Sequence, residues 1–405
     1  MRSTVCRMPP LALLPFALYL LPFAFPPLLA QEPYATIDRD SVTYRGPGRD
    51  AGHDVAGAEV RIGLLAPLSG PRRAEGEELR NAAQLAIDDD NAASLPGGRR
   101  LALVTRDENG PWGQAASQIV QMVYDDGALA LITSTEGGSA HLAEQVGNKV
   151  GVPILTLASD ATTTEINLPW IFRLGPNDAA QAELFARDIY KTRKLQHVLL
   201  LTQSDHDGRV GGDAFAKTAR DLGASNPVRV TVESGASKWQ PSGADQDFQA
   251  IVIWSDAAAA GELVPQLRAA ASTVPIYVCG KAARSSGPVM AQIGADLTVA
   301  PQCRACEAGD IELWTAEAIE GQTAALAHFE QRYQQRFGSQ PGRGAAQAYD
   351  AVRVVAASLR QSGPNRARLR DSLASTHRYL GLSGTVTFDH AGNDTAEVTL
   401  VRFHF

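Results

Sequence analysis

The stretch Ala128 to Leu174 constrains the fold more than any other part of the chain. Its two short apolar runs, Ala128–Ile132 and Pro153–Leu157, have strand length and no 3.6-residue period. Between them Leu142, Val146 and Val150 recur at four-residue spacing, which predicts a helix with one apolar stripe. Each apolar run gives way to a polar loop. The first is Ser134-Thr135-Glu136-Gly137-Gly138-Ser139 and the second is Ala158-Ser159-Asp160. Strand, loop, helix, strand is a βαβ unit with parallel strands and a right-handed crossover. Ligands of open parallel sheets bind beyond the carboxyl ends of the strands, so the two loops are predicted to form two walls of one binding site.

The same alternation continues on both sides. Val60–Leu65 and Leu101–Thr105 are predicted strands, and helices follow near Leu79–Ala86 and over Gly113–Tyr124. Glu75, Glu77 and Glu78 fall in the first turns of the earlier helix, where carboxylates complement the helix dipole. After Arg173 the pattern restarts with strands at Val198–Leu201, Val228–Val232, Ile251–Trp254, Ile276–Cys279 and Leu297–Ala300. Helices are predicted over Ala179–Tyr190, Gly212–Leu222 and, despite Pro265, Ala257–Ala271. The last third is predicted to be mostly helical, closing with strands Thr385–Phe388 and Glu397–Phe403. The architecture expected is α/β, in two halves that each carry a parallel sheet.

The net charge of -7 gives no basic surface for a nucleic acid. Residues 1–30 have a basic start at Arg2 and Arg7, an apolar run from Leu11 to Leu29, and Ala30 before a polar continuation, the pattern of a cleavable signal peptide. A membrane anchor is the competing reading, and Pro15, Pro22, Pro26 and Pro27 count against a continuous helix there. Residues 31–58 lack periodicity and are predicted to be a linker. Cys6 would leave with the signal; Cys279, Cys303 and Cys306 remain, two of them either disulfide-linked or all reduced. Cys303 and Cys306 have the spacing of half a zinc site, without a second pair or the histidines to complete it.

These segments together resemble the type I periplasmic solute-binding proteins of ABC transporters, in particular the leucine/isoleucine/valine-binding branch. The residues that carry the resemblance are IGLLAPLSGP at Ile62–Pro71, the helix Asn81–Ala93, LVTRDENGPWGQA at Leu103–Ala115, the block from Ala128 to Leu174, Ala348–Leu359, and Leu382–Asp394. The resemblance implies two Rossmann-like lobes joined by three hinge strands and closing on a solute. Lobe I is expected at 59–176 and 304–393 and lobe II at 177–303 and 394–405, with crossings near Gly175–Asp178, Cys303 and Asp394. It implies no catalysis and no cofactor. The partners it implies are a small solute and an ABC permease complex in the inner membrane, met by a monomer in the periplasm. A ligand sensor or accessory protein on the same fold is the alternative.

Carried over residue by residue, the resemblance implies a ligand site that departs from an amino-acid site. The serine that holds a ligand carboxylate falls on Gly137, beside Gly138. The carbonyl that holds an ammonium falls on Ala158, and its neighbouring threonine on Asp160. Aromatic positions fall on Glu75, Asp207 and Asp256, and the acidic partner of the ammonium falls on Lys281. With Glu136, five carboxylates would face one cleft against the single cation Lys281. A positively charged solute or a hard metal ion is therefore expected, because clustered carboxylates repel one another unless a cation or protons intervene. The bland reading is that Asp160 and Asp256 cap helices, Glu75 decorates a first turn and Asp207 makes a local turn. His141 is expected on a helix surface, His206 is open between surface and site, and Trp254 is expected in the core. Trp112 and Trp239 are further candidates for cleft walls.

Overall fold

The computed structural model describes residues 44–93, 96–109, 114–165, 170–233, 247–270, 274–283, 313–318 and 323–402. The signal-peptide stretch, Trp112, Trp239, the strand expected at Leu297–Ala300, Cys303 and Cys306 lie outside the described residues.

The first lobe is built on a five-stranded parallel sheet. Its strands are β1 (Glu59–Ala66), β2 (Arg100–Asp107), β3 (Ala130–Thr133), β4 (Ile154–Thr156) and β5 (Ile171–Arg173), in the spatial order β2-β1-β3-β4-β5. Helices cover both faces, so the central strands are apolar on both sides rather than alternating apolar with polar. Ile62, Leu64, Ile132 and Leu155 join a core shared with α1 (Arg73–Ala92) and α10 (Arg343–Ser362). Their neighbours Leu65, Leu131 and Ile154 point the other way, toward α2 (Gln114–Tyr124) and α3 (Gly137–Val150). The predicted βαβ unit is present as β3-α3-β4, with parallel pairing. Its buried helix face is made by Ala140, Ala143 and Gly147, while Leu142, Val146 and Val150 line the edge of that contact. Small residues let α3 approach the sheet closely; a Cβ at Gly147 would meet Ile154 at 2.4 Å. A short helix, α4 (Thr162–Glu165), follows β4.

The second lobe has a six-stranded sheet in the order β13-β10-β9-β8-β6-β7. Its members are β6 (Val198–Gln203), β7 (Val228–Val232), β8 (Ala250–Trp254), β9 (Ile276–Val278), β10 (Leu313–Ala318) and β13 (Val398–Arg402). All neighbours are parallel except β10 with β13. Helices α5 (Asp178–Ala186), α6 (His206–Asp221), α7 (Ala257–Ala270) and α8 (Gly280–Ala283) follow strands of this half of the chain. Trp254 is buried in this core, as expected, against Phe185. The remaining elements, α9 (Thr323–Phe337), α11 (Arg366–Ala374) and the small hairpin β11 (Tyr379–Leu380) with β12 (Thr385–Val386), belong to the last third of the chain.

Two crossings between the lobes run side by side. Arg173 bridges Asn393 in parallel, with Arg173 N donating to Gly392 O at 2.8 Å and Asp394 N donating to Arg173 O at 3.0 Å. The Asp394 carboxylate accepts from Gly175 N, Thr387 N and Ala396 N and so ties both strands of the crossing together. The other crossing corrects the sequence boundary at 304. Strand β10 pairs with β9 and β13 in the second sheet, so the chain returns to the first lobe between Ala318 and Thr323. Its sequence, Leu-Trp-Thr-Ala-Glu-Ala, contains helix formers, and pairing with two strands overrides that local preference.

The predicted linker also needs correction. From Tyr44 onward it is docked on the first lobe. Tyr44 is buried edge-on against Trp170, with ring centroids 5.0 Å apart, and its N–H donates to Asp371 Oδ1 at 2.6 Å. Cys279 is a free, fully buried thiol whose Sγ donates to Ser255 O at 3.3 Å. Among the described residues no helix is long and apolar enough to cross a membrane.

Candidate functional site

Parallel strands deliver their following loops to one edge of a sheet, and here the two edges face each other. The first lobe contributes Arg72 and Glu75 after β1, Glu108 after β2, Ser134–Gly137 after β3 and Asp160 after β4. The second contributes His206 and Asp207 after β6 and Lys281 after β9.

Lys281 sits at the centre. Its Nζ donates to Glu136 Oε2 at 3.1 Å across the cleft and to Asp207 Oδ2 within its own lobe. The side chain is 5% exposed. Burial alone would push the ammonium toward neutrality, but Asp207 and Glu136 outweigh it and hold the pKa well above the ordinary lysine value. Burial also favours the neutral form of Glu136; Lys281 and Arg72 reverse this and keep its carboxyl below the usual range. Asp207 accepts a second set of bonds across the cleft, from Gly137 N at 3.1 and 3.3 Å. That N–H opens helix α3, where the dipole and the unsatisfied amides favour an anion. A Cβ at position 137 would lie 2.4 Å from Asp207 Oδ1, so glycine is required for this contact.

Arg72 is the residue sequence reasoning missed. Its guanidinium bonds Glu75 through Nε and Nη2 at 3.0 and 2.8 Å, Glu136 at 2.7 Å and Thr135 Oγ1 at 3.1 Å. It also lies 3.4 Å from Glu108 Oε1. In the sequence it is one of two arginines before a run of glutamates and looks like a solvated helix start. Glu108 was missed for a similar reason, lying in a short acidic loop. It is buried, accepts from Ser134 Oγ at 2.7 and 2.8 Å, and is pushed up to about 7, chiefly by desolvation. The expectation of one cation against five carboxylates is therefore corrected: Arg72 and Lys281 share the neutralisation.

Asp160 organises a second cluster. Its Oδ1 accepts from Thr162 N and Oγ1 at 2.9 and 2.7 Å, which caps α4 as the bland reading holds. Its Oδ2 accepts from His141 Nε2 at 3.0 Å and from His206 Nε2 at 2.7 Å. His141 is on α3 and His206 opens α6, so this cluster also spans the cleft. His141 is not the free surface residue expected. Its Nδ1 meets Glu144 Oε2 at 3.0 Å, and its hydrogen bonds to Asp160 and Glu144 raise its pKa to about 9. Asp160, despite burial, is held well below the usual carboxylate range by His141, Thr162 and His206.

The structure does not join every candidate to these clusters. Asp256 Oδ1 accepts from Ala259 N at 2.8 Å and Oδ2 from Gln203 Nε2 at 3.0 Å, so it caps α7. The local turn foreseen for Asp207 is made by Asp205, which accepts from Gly208 N at 2.7 Å and leaves Asp207 free to face Gly137. Ala158 is buried and its N–H donates to Thr156 Oγ1 at 3.1 Å. Gly138 follows Gly137 in α3.

A family model for periplasmic binding proteins matches residues 59–402. The chain belongs to the periplasmic binding protein family. Members of this family are substrate-binding proteins, not enzymes. It is 29% identical over 198 residues to the Leu/Ile/Val-binding protein BraC3 of Rhizobium johnstonii, covering 49% of this chain and 51% of the relative. The chain thus spans about half the length of the curated relatives it matches. Among solved structures it is similar to the branched-chain amino acid transporter substrate binding protein LivJ of Streptococcus pneumoniae in complex with isoleucine. The TM-score is 0.70 and the identity 22%, over 85% of this chain and 100% of that one. A solute binding protein of R. palustris in complex with benzoate gives a TM-score of 0.70 at 17% identity, over 85% and 96% of the two chains. These structural likenesses carry the two-lobed fold of type I periplasmic binding proteins.

Proposed function

We propose that this periplasmic binding protein captures a small solute between its lobes and delivers it to an ABC permease in the inner membrane, acting in the periplasm as a monomer after removal of residues 1–30. The observation that supports this reading is the line of contacts joining the lobes at the carboxyl ends of both sheets: Lys281 to Glu136, Asp207 to Gly137, and His206 to Asp160. When the lobes part, Lys281 keeps Asp207 and Arg72 keeps Glu136, since each of those pairs lies within one lobe. Opening therefore leaves no charge without a partner, and a solute can replace the inter-lobe bonds one for one.

The ligand-binding residues proposed are Glu75, Glu136, Gly137, Gly138, Ala158, Asp160, Asp207 and Lys281, with Arg72 and Glu108 added. Asp256 is left out because it caps a helix. Glu75, Glu136 and Asp207 outnumber Arg72 and Lys281 even with Glu108, pushed up to about 7, left out of the count, which supports a solute bearing an ammonium or guanidinium, amino acids included. A thermal-shift panel of amino acids, polyamines and carboxylic acids tests this. A true ligand at a hundredfold excess over its Kd stabilises by about 2.7 kcal/mol. Stabilisation only by carboxylic acids lacking an amine would overturn the charge assignment.

A further inference from the structure

We propose that His141, Asp160 and His206 form a binding site for a zinc-class divalent metal ion that spans the two lobes. One ring nitrogen of each histidine and a carboxylate oxygen lie within 4.8 Å of one another, and both Nε2 atoms face Asp160 Oδ2, at 3.0 and 2.7 Å. Nitrogen and oxygen donors in this combination suit zinc, cobalt or nickel rather than calcium, which takes oxygen ligands. Three protein ligands leave a coordination position for water or a solute group.

The surroundings are those of a metal site. Asp160 is buried, and its Oδ1 is already engaged by Thr162, which fixes Oδ2 toward the histidines. Behind His141, Glu144 is 2% exposed and faces Nδ1 at 3.0 Å. A carboxylate on the distal ring nitrogen is the usual support of a metal-bound histidine, because it fixes the tautomer and raises ligand basicity. Glu144 has no helix-capping or sheet role among its described contacts, and its Oε1 is buried without a hydrogen-bond partner. In the metal-free arrangement protons stand where the ion would. Arg209 Nη2 donates to His206 Nδ1 at 3.2 Å, so His206 Nε2 carries the hydrogen that Asp160 accepts. Ligation through Nε2 moves that hydrogen to Nδ1 and turns the exposed Arg209 away, while His141 gives up its Nε2 proton to solvent. Both lobes supply ligands, so an ion here holds the cleft shut whatever the solute is.

The test is titration of untagged, EDTA-stripped protein with zinc by calorimetry and with cobalt by visible absorption. One equivalent should bind with a micromolar or tighter Kd. Binding should weaken at least tenfold in His141→Gln and again, separately, in His206→Gln, and zinc should raise Tm in the wild type far more than in either variant. His206 is only half-buried, at the first residue of α6, so His206→Gln carries the test even where His141→Gln fails to fold. Wild-type protein that binds neither ion tighter than millimolar, or binding unchanged in His206→Gln, would overturn the proposal. Solute binding is measured apart from this, in EDTA, so its failure would not be confused with failure of the metal site.

Discussion

At the residue scale Gly137 and His141 each make a contact that a single substitution can test. Gly137 is needed because the Asp207 carboxylate occupies the space a side chain would fill. Gly137→Ala should leave α3 intact, since alanine is the better helix former. It should push the lobes apart, giving a larger radius of gyration by small-angle scattering with an unchanged far-UV spectrum. A radius equal to that of the wild type would remove the contact from the account. His141 gains protonation in the fold, its pKa rising from 6.5 to about 9. Its contribution is fully present below pH 6.5 and is lost as pH rises through 9. Partial exposure reduces the contribution to about 1–2 kcal/mol. Buried Glu78, with its carboxyl pushed up to about 8, also makes stability fall as pH rises, so the difference between wild type and His141→Gln isolates the histidine. Urea midpoints at pH 6 and pH 9.5 should converge for the variant relative to the wild type; a constant difference would contradict the assignment.

At the element scale, stability rests on helices packed on sheets and on a few buried charges that join helices. Asp90, near the end of α1, is fully buried and accepts from Arg353 and Arg360 of α10 at 3.0 and 2.7 Å. Asp90→Ala would leave both guanidinium groups without this partner while they remain partly solvated, and should cost about 2–3 kcal/mol. A loss under half that amount in chemical denaturation would mean that water replaces the carboxylate. Much of this level was legible in the sequence. Strands β1 to β4 follow from apolar runs bounded by polar loops, and the carboxyl-end rule assigned the loops that hold Glu136 and Asp160 to one site, while Asp207 and Lys281 came to it only through the family resemblance. What sequence reasoning missed depended on long-range contacts. The pairing of β10 comes from chain neighbours more than thirty residues away. The burial of Arg72 and Glu108 depends on three loops meeting. Whether Asp160 is a cap or a site residue had no answer in local spacing, because its two oxygens do both.

At the scale of the whole molecule, two lobes are joined by paired strands at Arg173 and Asp394 and meet again through charged groups at the facing ends of their sheets. Arg72 and Lys281 neutralise part of the carboxylate charge there, and the inter-lobe bonds can exchange for bonds to a solute. The most direct test is titration calorimetry of the protein with the stabilising compounds of the solute panel, in EDTA, alongside Glu136→Gln. One solute should bind per chain with a micromolar or tighter Kd, weakened at least tenfold in the variant. Absence of any binding tighter than millimolar across the panel, or an affinity unchanged by Glu136→Gln, would contradict it.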